Sequence, residues 1–157
     1  MLIIAIVSGM AVLSLRTSSD DGAQGAARRF RSVLDAVSLD SLARSRNYGL
    51  QVWQTGYAFV TLDDKGKWVA AELPSDAGEA THRLGEGVRA SLRVADQGVS
   101  LTPRQEDGPP QILVLSNGEM TPFAIAFRAD AAAAQGQVFR VTADAVGHLA
   151  TVRQGSP

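Results

Sequence analysis

The sequence predicts an α+β domain, in which a long N-terminal helix packs on a head built from an antiparallel β-sheet or β-sandwich of seven to nine strands. Three observations predict it. Apolar residues recur with helical period between 26 and 37, residues 88–94 alternate strictly between apolar and polar, and turn residues punctuate the chain at short intervals from Gly49 onward. With 157 residues, 45% of them hydrophobic, the chain can bury a core without a disulfide or zinc staple, and it contains no Cys. Thiol catalysis and iron–sulfur chemistry are thereby excluded. Fifteen Lys and Arg against sixteen Asp and Glu leave a net charge of -1, without the basic excess that drives phosphate-backbone binding.

Residues 1–15 carry no charge, and only Ser8, Gly9 and Ser14 interrupt an apolar run that ends before Arg16. At about 1.5 Å per helical residue the run reaches roughly 22 Å, too short to cross a hydrocarbon core of about 30 Å alone. A signal peptide needs a basic segment before such a run and small residues after it. Only Met1 and Leu2 precede Ile3, and Leu13-Ser14-Leu15-Arg16 is a poor cleavage site. A buried first strand or helix is one reading. The preferred one is a partial membrane stalk over 1–15, the lower half of a longer membrane helix. Its membrane and assembly residues are Leu2, Ile3, Ile4, Ile6, Val7, Gly9, Val12 and Leu13, and Gly9 and Ala11 allow close helix approach.

A break is expected at 18–22, where Ser18, Ser19, Asp20 and Asp21 supply N-cap chemistry for a second, amphipathic half over 22–47. At 100° per residue Ala26, Ala27, Phe30, Val33, Leu34 and Val37 form one stripe, so Phe30, Val33, Leu34 and Val37 are the candidates for helix–head packing. Arg28, Arg31, Ser32 and Asp35 make a solvated face. Leu39 and Leu42 point away from the stripe and read as late core residues or as contacts to another subunit. Arg44 and Arg46 suit a helix C-terminus, and Asn47-Tyr48-Gly49 is expected to end it.

The head, 48–157, changes period. Strands are expected at 50–53, 57–62 and 67–71 as a meander with turns at Gly56 and Asp63-Asp64-Lys65-Gly66. Residues 74–87 read as a loop, 88–94 as a half-buried strand, and Asp96-Gln97-Gly98 as a turn into 99–101. Three prolines exclude 102–110 from a central strand. Residues 112–115 and 123–128 are expected to pair as a hairpin through Ser116-Asn117-Gly118-Glu119. The Ala-rich stretch 129–136 reads as a helical turn, 138–142 and 149–152 as a closing pair, and the tail 154–157 as disordered.

Chemistry-bearing motifs are sparse. Val114-Leu115-Ser116-Asn117-Gly118 lacks the first glycine of a nucleophile elbow, so Ser116 reads as a turn residue. His82 and His148 are the only histidines and read as lone surface residues, too few for a cysteine-free zinc site. Asp63, Asp64 and Asp76 lack calcium-loop spacing, and Gly66-Lys67-Trp68 lacks the Ser or Thr of a phosphate loop. Nothing desolvates Glu106-Asp107, so neither reads as a general acid. Arg28, Arg29 and Arg31 form a small cluster that suits a membrane-proximal or solvated helix face. Up to Asn47 six basic residues face four acidic ones; beyond it nine face twelve, and the arginines of the head are scattered along the chain.

The architecture and several short stretches resemble one family, the H-class minor pseudopilins of type II secretion, which share a domain with the FimT-type minor pilins of type IV pili. The run Leu2-Ile3-Ile4-Ala5-Ile6-Val7-Ser8-Gly9-Met10-Ala11 is similar to the middle of a prepilin N-terminal helix, and Ala43-Arg44-Ser45-Arg46-Asn47-Tyr48-Gly49-Leu50 to its passage into the first strand. The most specific stretch is 111–123, an apolar strand followed by a turn and Thr-Pro-Phe, in which Ser116, Gly118, Glu119, Thr121, Pro122 and Phe123 carry the likeness. The family's basic leader and Phe-Thr-Leu-x-Glu segment do not precede Met1, which leads to the expectation of a truncated sequence or a start codon placed too late. Its leader cleavage and N-terminal methylation are therefore carried over to no residue here. Gly147-His148 stands where FimT-like members often carry Gly-Arg.

The resemblance implies a pilin-like fold and a non-enzymatic subunit near the tip of the type II secretion pseudopilus, supporting protein export across the outer membrane. It implies a single-pass protein of the bacterial inner membrane with its head in the periplasm. The partners are other minor pseudopilins, the major pseudopilin, the inner membrane and secreted substrate met by loops 74–87 and 102–110. No cofactor, metal or catalytic residue is expected, and nucleic acid is not an expected partner. The alternative is a FimT- or FimU-like type IV minor pilin serving pilus assembly or DNA uptake. A periplasmic hydrolase has only Asp144 and His148 as its motive.

Overall fold

The fold is that of a computed structural model describing residues 2–129 and 137–154, with side chains from residue 22 on. A single helix, α1 (Leu2–Arg44), precedes ten strands among the described residues. It is unbroken, so the expected interruption at 18–22 is absent. No Pro lies within it, and each Ser, Asp or Gly lowers helix propensity by only about 1 kcal/mol or less, too little to stop a helix already under way. It also ends earlier than expected. Ser45 takes a left-handed conformation with φ 52°, and the Arg46 N–H donates to the Ser41 carbonyl at 3.1 Å. This is the Schellman closure, made here without glycine.

All ten strands pair antiparallel, in two five-stranded sheets. The first holds β1 (Tyr48–Trp53), β2 (Gly56–Leu62), β3 (Trp68–Ala70), β4 (Thr81–Arg83) and β7 (Ile112–Val114), in the order β3-β2-β1-β7 with β4 also on β2. The second holds β5 (Val88–Val94), β6 (Gln97–Val99), β8 (Phe123–Ala129), β9 (Val138–Ala143) and β10 (Leu149–Gln154), in the order β10-β9-β8-β5-β6.

Four departures from expectation concern the strands. β4 lies inside the expected loop 74–87; its Thr-His-Arg sequence carries no apolar alternation, because it is an edge strand held by the backbone pairs Tyr57↔His82 and Ala58↔Thr81. β3 and β4 follow one another along the same edge of β2, and Phe59 links them by donating to Ala80 and accepting from Ala71. The turn after β5 is the residue pair Ala95 and Asp96, at φ 49° and 64°, so β6 starts at Gln97 and not at 99.

The expected hairpin of 112–115 with 123–128 does not form. β7 pairs with β1, whereas β8 lies between β5 and β9 in the other sheet. Residues 115–119 do turn, but the returning arm is Glu119–Thr121: Leu115 donates to Glu119, Thr121 to Leu113, and Val114 bridges Met120. Pro122 has no N–H to continue that ladder, and the chain crosses to the second sheet there. The expected helical turn lies outside the described residues except for Ala129, which ends β8. Gln154, expected in the tail, is the last residue of β10.

α1 fills the core between these layers. Phe30 meets Tyr57 of the first sheet edge-on at 5.0 Å between ring centres, and Phe123 and Phe127 of the second at 6.0 and 5.7 Å. Such tilted geometries are the favoured ones for aromatic pairs.

Candidate assembly surfaces

The helix–head seam runs along one face of α1. Phe30, Val33, Leu34 and Val37 are all buried, with Ala23 and Ala27 extending the face toward the N-terminus and Ala26 at its margin. Near the C-terminal end the seam turns polar. The buried Tyr48 hydroxyl donates to Asp40, whose other oxygen accepts from Arg44 Nε at 2.9 Å. Burial, and then the neighbouring Asp40 carboxylate, push the Tyr48 pKa above 10.0. Leu2, Ile3, Ile4, Ile6, Val7, Gly9, Val12 and Leu13 fall within α1, and their side chains lie outside the described ones. Among the described residues no helix is long and apolar enough to cross a membrane.

The stretch that carries the family likeness is a junction. Ser41 Oγ of α1 donates to the Leu115 carbonyl at 2.9 Å, and the Ser116 N–H donates to Asn47 Oδ1 at 2.8 Å. Asn117 Oδ1 accepts from the Glu119 N–H, and its amide reaches the Glu119 carboxylate at 3.0 Å, while Gly118 adopts φ 90°. Thr121 Oγ1 accepts from the Leu113 N–H, the Pro122 carbonyl accepts from Ala95, and Phe123 enters the core. So Ser116, Gly118 and Glu119 build the turn, and Thr121, Pro122 and Phe123 carry the chain from one sheet to the other. A second loop, 144–148, closes on the first: the Met120 N–H donates to Ala145, and Gly147 packs against the Gly118 carbonyl. Ser41, Asn47 and Gly147 were not singled out from the sequence for this role, because only the fold brings them to the turn.

Around this junction apolar side chains stand in solvent. Leu39 is 68% exposed, Leu42 51% and Val146 64%. Leu42 reaches the turn at Gly118, and Val146 precedes the Gly147 that packs on the same turn. Leu39 lies one helical turn from Leu42, on the same face.

Neither histidine behaves as a simple surface residue. His82 stacks on Tyr57 at 5.0 Å and 13°, and its Nε2 is enclosed without a hydrogen-bond partner, as is the Tyr57 hydroxyl. Burial lowers the His82 pKa below 6.5 and raises that of Tyr57. Both line a cavity of about 270 Å³ that Gly25, Ala26 and Arg29 border from α1. His148 is exposed, yet it closes the 144–148 loop. Asp144 Oδ1 accepts from the Val146 and His148 N–H groups, and Oδ2 lies 3.1 Å from His148 Nδ1. The His148 backbone bond is the main cause that holds the Asp144 carboxyl below its usual range. The pair does the work of a turn.

The arginines of the head are not scattered in space. Outward positions of β5, β8 and β9 place Arg89 opposite Arg128, Ala126 opposite Arg140, and Arg93 opposite Ala124. The alternate residues of those strands, from Val88 to Val141, face the core. Four arginines thus share the outer face of the second sheet, a grouping that the strand pairing creates and the linear order conceals.

No protein-family model matches the chain. In sequence it is similar to the type II secretion system protein H of Pseudomonas aeruginosa, with 28% identity over 134 residues covering 80% of this chain and 74% of that protein. The protein of the same name from Klebsiella pneumoniae is 29% identical over 136 residues, covering 80% and 78%. In fold the chain is similar to the minor pseudopilin EpsH from the type II secretion system of Vibrio cholerae, with a TM-score of 0.71 and 22% identity over 88% of this chain and 98% of that one. The solution structure of GspH from E. coli gives a TM-score of 0.62 at 18% identity, covering 85% and 89%. The resemblance drawn from the sequence thus agrees with both kinds of comparison, and the α+β, pilin-like fold class with the structural one.

Proposed function

We infer that the chain belongs to the H class of minor pseudopilins and serves as a subunit of a type II secretion pseudopilus. The observation that carries this reading is that likeness to secretion proteins H and likeness to pseudopilin folds each extend over four fifths or more of the chain. Its work is packing, without a reaction. α1 holds the head by the Phe30 seam, and residues 2–21 add roughly 30 Å of helix ahead of it. The apolar run 2–15 within that stretch anchors the protein in the inner membrane with its head in the periplasm, and bundles with the helices of the major and other minor pseudopilins. Exposed Leu39, Leu42 and Val146 form the contact that a neighbouring subunit covers. Loops 74–87 and 102–110 face secreted substrate.

Deleting the gene in its native host tests the reading. Exported proteins are expected to accumulate in the periplasm and to be released again when the gene is restored; unchanged export overturns it.

A further inference from the structure

The outer face of the second sheet has a charge pattern that packing does not require. β5, β6, β8, β9 and β10 contain no Asp or Glu, and they hold Arg89, Arg93, Arg128, Arg140 and Arg153. Arg153 sits over Phe139 on the inner side, and the other four point outward. Strand geometry places the Cα atoms of Arg128 and Arg140 roughly 8 Å apart, two residues along and one strand across. On the same face Val138 stands opposite Arg128 and Ala126 opposite Arg140, with Ser91, Ala124 and Thr142 beside them. Arg89 is engaged within the chain, and Arg93 donates to the Asp96 carbonyl at 2.5 Å. Among the described residues, neither Arg128 nor Arg140 meets a carboxylate.

We propose that this face, centred on Arg128 and Arg140, is a docking surface for a carboxylate-rich protein face, that of a neighbouring subunit of the same assembly. The proposal rests on the pseudopilin reading for the neighbour's identity, and on charge complementarity for its chemistry. Two guanidinium groups flanked by short uncharged side chains can each take a carboxylate bidentately. The arrangement suits a protein better than a nucleic acid, because the face carries no aromatic side chain on which bases could stack. A contact made through solvent-facing charges is weak and salt-sensitive.

The test uses the full chain in an uncharged detergent and two fluorescent probes of equal charge, a glutamate peptide and a single-stranded DNA, each of about twenty units. The glutamate peptide is expected to bind, to weaken about tenfold or more in R128E/R140E, and to be released at about 0.3 M salt. R153E is expected to leave binding unchanged. If R128E/R140E loses its native circular dichroism, R128Q/R140Q replaces it, with the same direction expected. Equal binding by wild type and variant, no binding by wild type, or tighter binding of the DNA overturns the proposal. Export after gene deletion is a separate readout, so failure of this surface and failure of the pseudopilin reading are told apart.

Discussion

Gly147 lies so close to the Gly118 carbonyl that a Cβ on it would stand 2.7 Å from that oxygen. Its φ of 83° is also one that side chains rarely adopt. Two loops separated by some thirty residues are held together by the absence of a side chain. Gly147→Ala is expected to lower stability by about 1–3 kcal/mol, combining backbone strain with displacement of the turn. Thermal unfolding of the purified chain measures it, and an unchanged midpoint would show that the two loops are not coupled.

Phe30 touches both sheets through three aromatic neighbours. Phe30→Ala is expected to destabilise by about 3–5 kcal/mol, the range for emptying a large buried ring site. Denaturant unfolding reads the loss. If the variant is as stable as the wild type, the helix is not part of the same cooperative unit as the head.

The Tyr57–His82 stack predicts opposite responses at the two ends of the pH scale. Burial raises the Tyr57 pKa above its ordinary 10.0, so the folded state favours the neutral phenol. Its contribution is complete below pH 10 and is lost as the pH climbs through the folded value. Burial lowers the His82 pKa below 6.5, so that contribution is present above 6.5 and is lost as the pH falls toward the folded value. Tyr57→Phe removes an unpartnered buried hydroxyl and is expected to be neutral or stabilising by about 1 kcal/mol, with a shallower alkaline decline. His82→Phe is expected to flatten the acid limb and keep the stack. Unfolding curves taken from pH 5 to 11 decide both.

Leu39 and Leu42 contribute to no visible core, being 68% and 51% exposed. L39S/L42S is expected to change stability by less than about 1 kcal/mol. On the proposed function, recovery of minor pseudopilins with the full chain from detergent extracts is expected to drop in the same variant. Full recovery would remove these leucines from the subunit contact.

The parts of this fold that were legible in the sequence are those whose signal is local. Ala27, Phe30, Leu34 and Val37 repeat at helical spacing because a single face is buried, and Val88 to Val94 alternate because one side of β5 is wet. What was hidden depends on partners distant along the chain. Nothing in residues 112–128 says that β7 joins β1 while β8 joins β5. The three-residue β4 owes its existence to backbone groups of β2 that would otherwise be unpaired. The same holds for the surfaces. Arg89, Arg93, Arg128 and Arg140 become one patch only through register, and His82 is enclosed where the fold brings Tyr57 and α1 to it.

The tandem seating of β3 and β4 along β2 has a consequence for how such a head can diversify. The ten residues from Ala71 to Ala80 leave a strand edge at Phe59 and come back to it at the same residue, the hinge post between the two docked pieces. A detour that starts and finishes on the same rail can grow or shrink without shifting any rung of the ladder on either side. It is the place in the molecule where a lineage can acquire a new recognition appendage while the scaffold underneath keeps its shape.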